Sequence, residues 1–269
     1  MLFKNKNCSK CSREYEEVLD ECPYCSTPNK DYVELGIPKK LLMLPYLNQI
    51  VLFAIGLIGL VLFQFLFSYI FGSTLGTDST LALLLTNLVP YVLIVLALLS
   101  SLLLYRKKVI NSFRKPYDFL IGLAFGAVII GFNYLYSNFF LELFDVGTNS
   151  NQSAFELIVQ DYPVVSILIF GLVAPLVEEL TYRVGLFTLS YRVNKIVAYI
   201  VVIIIFGLIH FDFQGDLKVE LLNLPNYCIA GLLFCLAYRF SGLAGCVTAH
   251  VLNNVFSIIF TIIYLKYGQ

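Results

Sequence analysis

The sequence predicts an all-α polytopic membrane protein of about seven or eight transmembrane helices, preceded by a small cysteine-bearing module. Three observations predict it. Of the 269 residues, 59% are hydrophobic and only 13% charged, proportions outside those of soluble globular domains. From Leu41 onward, apolar runs recur that are long enough to cross roughly 30 Å of hydrocarbon. Ahead of them, Cys8, Cys11, Cys22 and Cys25 form two CxxC pairs separated by ten residues. A formal net charge of zero offers no basic excess for neutralising phosphates, so no nucleic-acid partner is expected.

The amino-terminal module comes first in the chain. Each CxxC makes a tight knuckle that aims two thiolates at one point, and two knuckles complete a tetrahedral Zn site. The spacing predicts a zinc ribbon over residues 1–30, with four reduced surface cysteines or two disulfides as the plainer readings. So short a segment can barely form a core, so structural Zn would supply most of its folding free energy. Residues 31–46 read as a linker. The first apolar run begins near Leu41, so no cleavable signal peptide is expected. Cys228, Cys235 and Cys246 lie singly in apolar runs and read as small core residues.

Residues 47–269 read as the transmembrane domain, with spans near 47–71, 81–105, 118–140, 163–182, 196–212, 222–240 and 243–265. A short amphipathic piece separates Arg183 from Lys195. Basic residues cluster in every second loop: Lys39 and Lys40; Arg106, Lys107, Lys108, Arg114 and Lys115; Arg183, Arg192 and Lys195; Arg239. By the positive-inside rule the ribbon faces the cytoplasm of a multi-pass cell-membrane protein, where reduced thiols favour metal over disulfides.

Ionisable side chains inside a span cost a few kcal/mol on insertion scales, so each is a functional-site candidate. The stretch VEELTYR supplies Glu178, Glu179 and Arg183, after a run from Pro163 to Leu176 without charge. Glu179 and Arg183 stand at i and i+4, carboxylate first, and are expected to pair. Glu178 is turned about 100° away with no basic residue at i+3 or i+4, and is left free for chemistry. Pro175 removes a backbone donor and kinks the helix just before them. His210 and His250 are the only histidines in the chain, and both fall in predicted spans. Phe206 and His210 share a face, as do His250 and Asn254. Phe206 reads as packing; Tyr182, one turn from Glu178, is left between bonding it and facing lipid. Glu142 and Glu156 read as solvated loop residues, and Asp212 lies close to His210 in sequence.

A carboxylate, two imidazoles and an amide supply what amide hydrolysis needs: a base for water, donors for the oxyanion, an acid for the leaving amine. Glu with two His is also one common catalytic Zn ligand set. A transporter would bury similar groups but should show an internal repeat of similar halves, and none is found. A non-catalytic membrane adaptor using the ribbon for partner binding is the remaining alternative.

EExxxR, FxxxH and HxxxN, in this order on successive helices, resemble the three motifs of the CPBP intramembrane proteases, which include the type II CAAX prenyl endopeptidases and the Abi proteins. The resemblance covers about residues 115–265. It implies a helical fold whose cavity opens to the cytoplasm, with Glu178 and His210 activating water, His250 and Asn254 stabilising the oxyanion, and Glu179 and Arg183 in support. It implies a peptide or protein substrate in the membrane, including lipidated chains, with roles in bacteriocin self-immunity among the relatives; a catalytic Zn held by Glu178, His210 and His250 remains open beside a metal-free glutamate mechanism. One depth conflicts: span four ending at 182 puts Glu178 near its cytoplasmic end, whereas His210 lies about 22 Å beyond Lys195.

Overall fold

The computed structural model describes residues 4–35 and 37–267. Two short antiparallel strands, β1 (Asn5–Asn7) and β2 (Glu14–Glu16), pair with Lys6 opposite Tyr15. Eight helices follow: α1 (Tyr46–Leu75), α2 (Thr80–Ser101), α3 (Arg106–Ser112), α4 (Pro116–Leu141), α5 (Ser150–Asp161), α6 (Pro163–Tyr191), α7 (Lys195–Leu208) and α8 (Leu217–Tyr267). Five of them, α1, α2, α4, α6 and α8, are long and apolar enough to cross a membrane, and α7 is a shorter apolar helix.

α8 is not one rod. Gly242 has φ 68° and ψ −163°, a backbone that L-residues avoid and glycine adopts freely. The chain doubles back there: the rings of Phe234 and His250, eight positions either side of the bend, lie 4.2 Å apart. A straight helix would separate them by about 24 Å. The two limbs match the expected spans 222–240 and 243–265. The second limb packs against α4 with almost no room, since a Cβ on Gly122 would lie 2.4 Å from the Gly245 carbonyl oxygen. Small residues at such crossings let backbones approach in lipid, where packing replaces the hydrophobic drive.

Two expectations are corrected. Span four does not end at residue 182, and residues 184–191 are not a separate amphipathic piece; α6 continues to Tyr191, with Thr181, Arg183, Val184, Phe187 and Thr188 fully buried. The charged pair is tolerated mid-helix because protein, not lipid, surrounds it. This removes the depth conflict: Glu178 lies about 20 Å from the Tyr191 end, and His210 about 22 Å from Lys195. Pro175 sits in the short α-helical stretch Ala174–Glu178, flanked by widened i→i+5 turns at Ile167–Val173 and Glu179–Phe187, the usual accommodation of a disturbed hydrogen-bond ladder. The loop after α4 also folds into a helix, α5, capped by Asn149, whose side chain accepts from the Gln152 amide at 3.1 Å.

The cysteine module docks on one end of the helical body. Glu16 accepts from the Tyr46 amide at 2.9 Å and pairs with Arg192; Asp20 pairs with Lys108. Arg192 also donates to the Leu44 carbonyl, and Lys108 to that of Met43. These contacts mark the ribbon side, where α1, α4 and α7 begin and α6 ends.

Candidate active site

The buried pair forms as spacing predicts. Arg183 Nη1 lies 3.1 Å from Glu179 Oε1, both fully buried. Because an unpaired buried charge is prohibitive, further partners surround it. Arg183 Nη2 donates to the Gly231 carbonyl at 3.2 Å, and its guanidinium stacks 4.7 Å from the Phe206 ring and 5.2 Å from that of Phe234. Glu179 Oε1 accepts from His250 Nδ1 at 2.8 Å. Phe206 is therefore a packing residue that also seats the arginine, and Tyr182 is buried against it edge-on rather than facing lipid.

Glu178 has a different environment. It is buried but lines a cavity, and its Oε1 accepts from the Tyr91 hydroxyl at 3.3 Å. Its Oε2 makes no hydrogen bond within the chain and lies 3.8 Å from His250 Nε2. His250 thus bridges the two carboxylates. Since Nδ1 donates to Glu179, Nε2 is the nitrogen that faces Glu178 and the cavity.

His210 reaches the same cavity from the turn that ends α7. Its Nδ1 contacts the Phe206 carbonyl at 2.8 Å, which makes that nitrogen the donor and leaves Nε2 bare. Its ring stacks on Tyr227 at 4.4 Å. The turn is held by Glu220, a carboxylate 1% exposed, which accepts from Asn149 Nδ2, the Ser150 amide and the Asp212 amide at 3.1–3.2 Å. Asn149 Nδ2 also donates to the His210 carbonyl at 3.1 Å. Asp212 itself accepts from the Gln214 amide.

Asn254 lines the cavity too; its Nδ2 donates to the Phe170 carbonyl at 2.9 Å, and its Oδ1 accepts from Asn253. Glu178, His210, His250 and Asn254 therefore share one cavity of about 360 Å³, with Glu179 and Arg183 beneath it. Glu142 is exposed and Glu156 accepts from Gln152 on α5; neither joins the site. Sequence reasoning missed Tyr91, Phe234, Tyr227, Asn149 and Glu220. It also passed over Gln64, Asn87, Asn133 and Asn253, which the rule applied to the histidines, a polar group within a span, would have found.

Metal-ligating geometry is found elsewhere. The four Sγ atoms of Cys8, Cys11, Cys22 and Cys25 lie within 4.8 Å of one another, with Cys8–Cys25 at 3.5 Å and Cys11–Cys22 at 3.7 Å. A tetrahedral S₄ site with 2.3 Å bonds requires about 3.8 Å, so the four fit a metal ion. Backbone amides of Cys11 and Lys10 push the Cys8 thiol down to about 6, toward the thiolate that binds metal. Among the described residues this is the only group of three or more His, Cys, Asp or Glu close enough to share an ion. Glu178, His210 and His250 line one cavity without converging on one ion-sized point.

The fold and site define the class as a polytopic helical membrane protein whose spans gather carboxylate, imidazole and carboxamide groups around one buried cavity. Residues 160–256, which hold all three motifs, match the family model of Rce1-like type II CAAX prenyl endopeptidases. This match likens the segment 160–256 to the CAAX protease, or CPBP, family. It is 31% identical over 198 residues to an uncharacterized protein of Mycoplasma capricolum subsp. capricolum, a match covering 68% of this chain and 57% of that protein. The chain thus spans little more than half the length of this relative. No solved structure matches it.

Proposed function

We propose that the chain is an intramembrane endopeptidase of the glutamate type, hydrolysing a peptide bond of a membrane-associated substrate. The observation that carries this reading is Glu178 Oε2, buried at the cavity wall with no hydrogen bond and 3.8 Å from His250 Nε2. Glu178, with the bare Nε2 of His210, takes a proton from water as its oxygen attacks the scissile carbonyl. The oxyanion is met by Asn254 Nδ2 and by the His250 ring, which Glu179 holds in place through Nδ1. On collapse, the carbonyl re-forms, the C–N bond breaks, and Glu178 returns its proton to the leaving amine. Tyr91 orients Glu178 through Oε1.

The absence of convergence among Glu178, His210 and His250 supports a role for them without a shared ion, and the ribbon cysteines are the metal ligands we assign, to a structural Zn. We assign residues 1–30 to a cytoplasmic zinc ribbon, 31–46 to a linker and 47–269 to the transmembrane helical domain, with the protease core at about 115–265. The test compares membrane proteomes of cells making the wild type and Glu178→Gln. New protein termini that appear only with the wild type are expected; identical termini in both would sink the proteolytic reading. An adaptor would instead need the ribbon and tolerate Glu178→Gln.

A further inference from the structure

Three carboxamides on the cavity wall form one directed relay. Asn133 Nδ2 donates to Asn253 Oδ1 at 3.0 Å, Asn253 Nδ2 donates to Asn254 Oδ1 at 3.1 Å, and Asn254 Nδ2 donates to the Phe170 carbonyl at 2.9 Å. All three asparagines line the cavity that holds Glu178, His210 and His250.

The direction of the relay is set at one end. The Phe170 carbonyl can only accept, so Asn254 must present its amino group there and its oxygen to Asn253. The same requirement passes to Asn253 and then to Asn133, because turning any one carboxamide over sets oxygen against oxygen or N–H against N–H. The relay therefore ends on Asn133 Oδ1, which is buried and makes no hydrogen bond within the protein. Asn226 Oδ1 is also buried at the wall without a bond, but among the described residues no hydrogen bond fixes which way that carboxamide turns.

Packing places the free end as closely as the anchored one. α4 lies against the second limb of α8, with Gly122 on Gly245 and Gly126 on Ala249 and Leu252. A Cβ on Gly126 would lie 2.9 Å from Leu252 Cδ2 and 3.0 Å from the Ala249 carbonyl oxygen. Asn133 follows Gly126 by about two turns and keeps to the same helix face, so the crossing itself carries Asn133 to Asn253.

A buried oxygen without a donor is costly, and its complement is an N–H brought in by whatever enters the cavity. A polypeptide drawn into a water-poor site carries such a group on every residue but proline, and each must find an acceptor. A neutral carboxamide oxygen takes a backbone N–H without calling for a cation, as a carboxylate would.

We infer that Asn133 is a substrate-binding residue, whose Oδ1 accepts a backbone N–H of a polypeptide lying in the cavity. One hydrogen-bonded unit then holds both the substrate backbone, at Asn133, and the donor offered to its scissile carbonyl, at Asn254. This deepens the proteolytic reading and rests on it for what Asn254 does, whereas the binding of a polypeptide does not.

The test measures binding to the purified full chain carrying Glu178→Gln. Affinity selection from linear peptides, with and without a lipid thioether on a carboxyl-terminal cysteine, supplies the probe. The tightest binder is remade with each backbone amide in turn replaced by an ester, which deletes one N–H. At one position the ester should weaken binding about fivefold, the loss of one neutral hydrogen bond, and that difference should vanish when Asn133→Leu is added. Asn133→Ala serves if the leucine variant does not accumulate. Asn253→Leu, which removes the acceptor that orients Asn133, should shrink the same difference. An ester series that acts alike with and without Asn133 at every position would overturn the inference, as would the lack of any peptide that binds. A peptide bound through Asn133 yet left whole by the protein with Glu178 intact would sink the proteolytic reading and leave this one standing.

Discussion

Glu178 and His250 face one another across 3.8 Å, carboxylate oxygen to imidazole Nε2, while the far nitrogen of the same imidazole is committed to Glu179 at 2.8 Å. The two neighbouring carboxylates are thereby separated in role by which nitrogen each addresses. Glu178→Gln keeps the volume and the Tyr91 contact but removes the proposed base, and should lower cleavage by at least about a thousandfold. Its unfolding midpoint in detergent should match the wild type. Cleavage within tenfold of wild type would remove Glu178 from the mechanism.

Arg183→Met should behave in the opposite way. It leaves Glu179 charged in a fully buried place, which costs about 3–5 kcal/mol when one partner of such a pair is lost. A lowered thermal midpoint and poor accumulation are expected. The double variant Glu179→Gln with Arg183→Met should recover part of this loss, because no unpaired charge remains. Thermal unfolding of the three variants decides it.

Tyr91→Phe removes only the hydroxyl that donates to Glu178 Oε1 at 3.3 Å. A hydrogen bond to a charged group accounts for about tenfold in rate when lost. We expect kcat to fall with KM little changed. No change in kcat would make Tyr91 a packing residue alone.

Glu220 holds α5 and the His210 turn together through three donors. Glu220→Leu strands them at about 1–3 kcal/mol each, and amide exchange across 147–152 and 209–213 should speed up. Glu220→Gln, which keeps one acceptor oxygen, should restore part of the protection. Equal exchange in both variants and wild type would refute the latch.

The purified chain should carry about one equivalent of metal, held by the cysteine set. Cys8→Ser with Cys25→Ser should abolish it, and protease should then cut residues 1–35 more readily. Metal remaining at stoichiometry in this variant would place a second ion elsewhere in the chain.

Much of this was legible in one sequence because each signal was local. The i,i+4 spacing of Glu179 and Arg183 reports a shared helix face wherever the helix sits. The two CxxC knuckles report a four-sulfur cluster because each fixes its own geometry. Polar groups in apolar spans exposed His210, His250 and Asn254 by their cost. The end of α6 was misplaced for the same reason: charge reads as the edge of a span, and only its neighbours reveal that Arg183 lies under Phe206 and Phe234. Tyr91 and Glu220 carried no such signal, since a tyrosine in an apolar span and an acid at a loop are both ordinary.

By itself, then, the sequence determined the class of protein, the four-cysteine cluster, the Glu179–Arg183 pair and which carboxylate stands outside that pair. These depend on composition and on separations of a few residues. Tertiary structure alone decided that Gly242 folds α8 back to bring His250 onto Phe234, that Glu178 and His210 line one cavity, and that Arg183 is seated between Phe206 and Phe234. Each is a relation between segments far apart in the chain, fixed by packing and by the pairing of buried polar groups, and no local spacing encodes it.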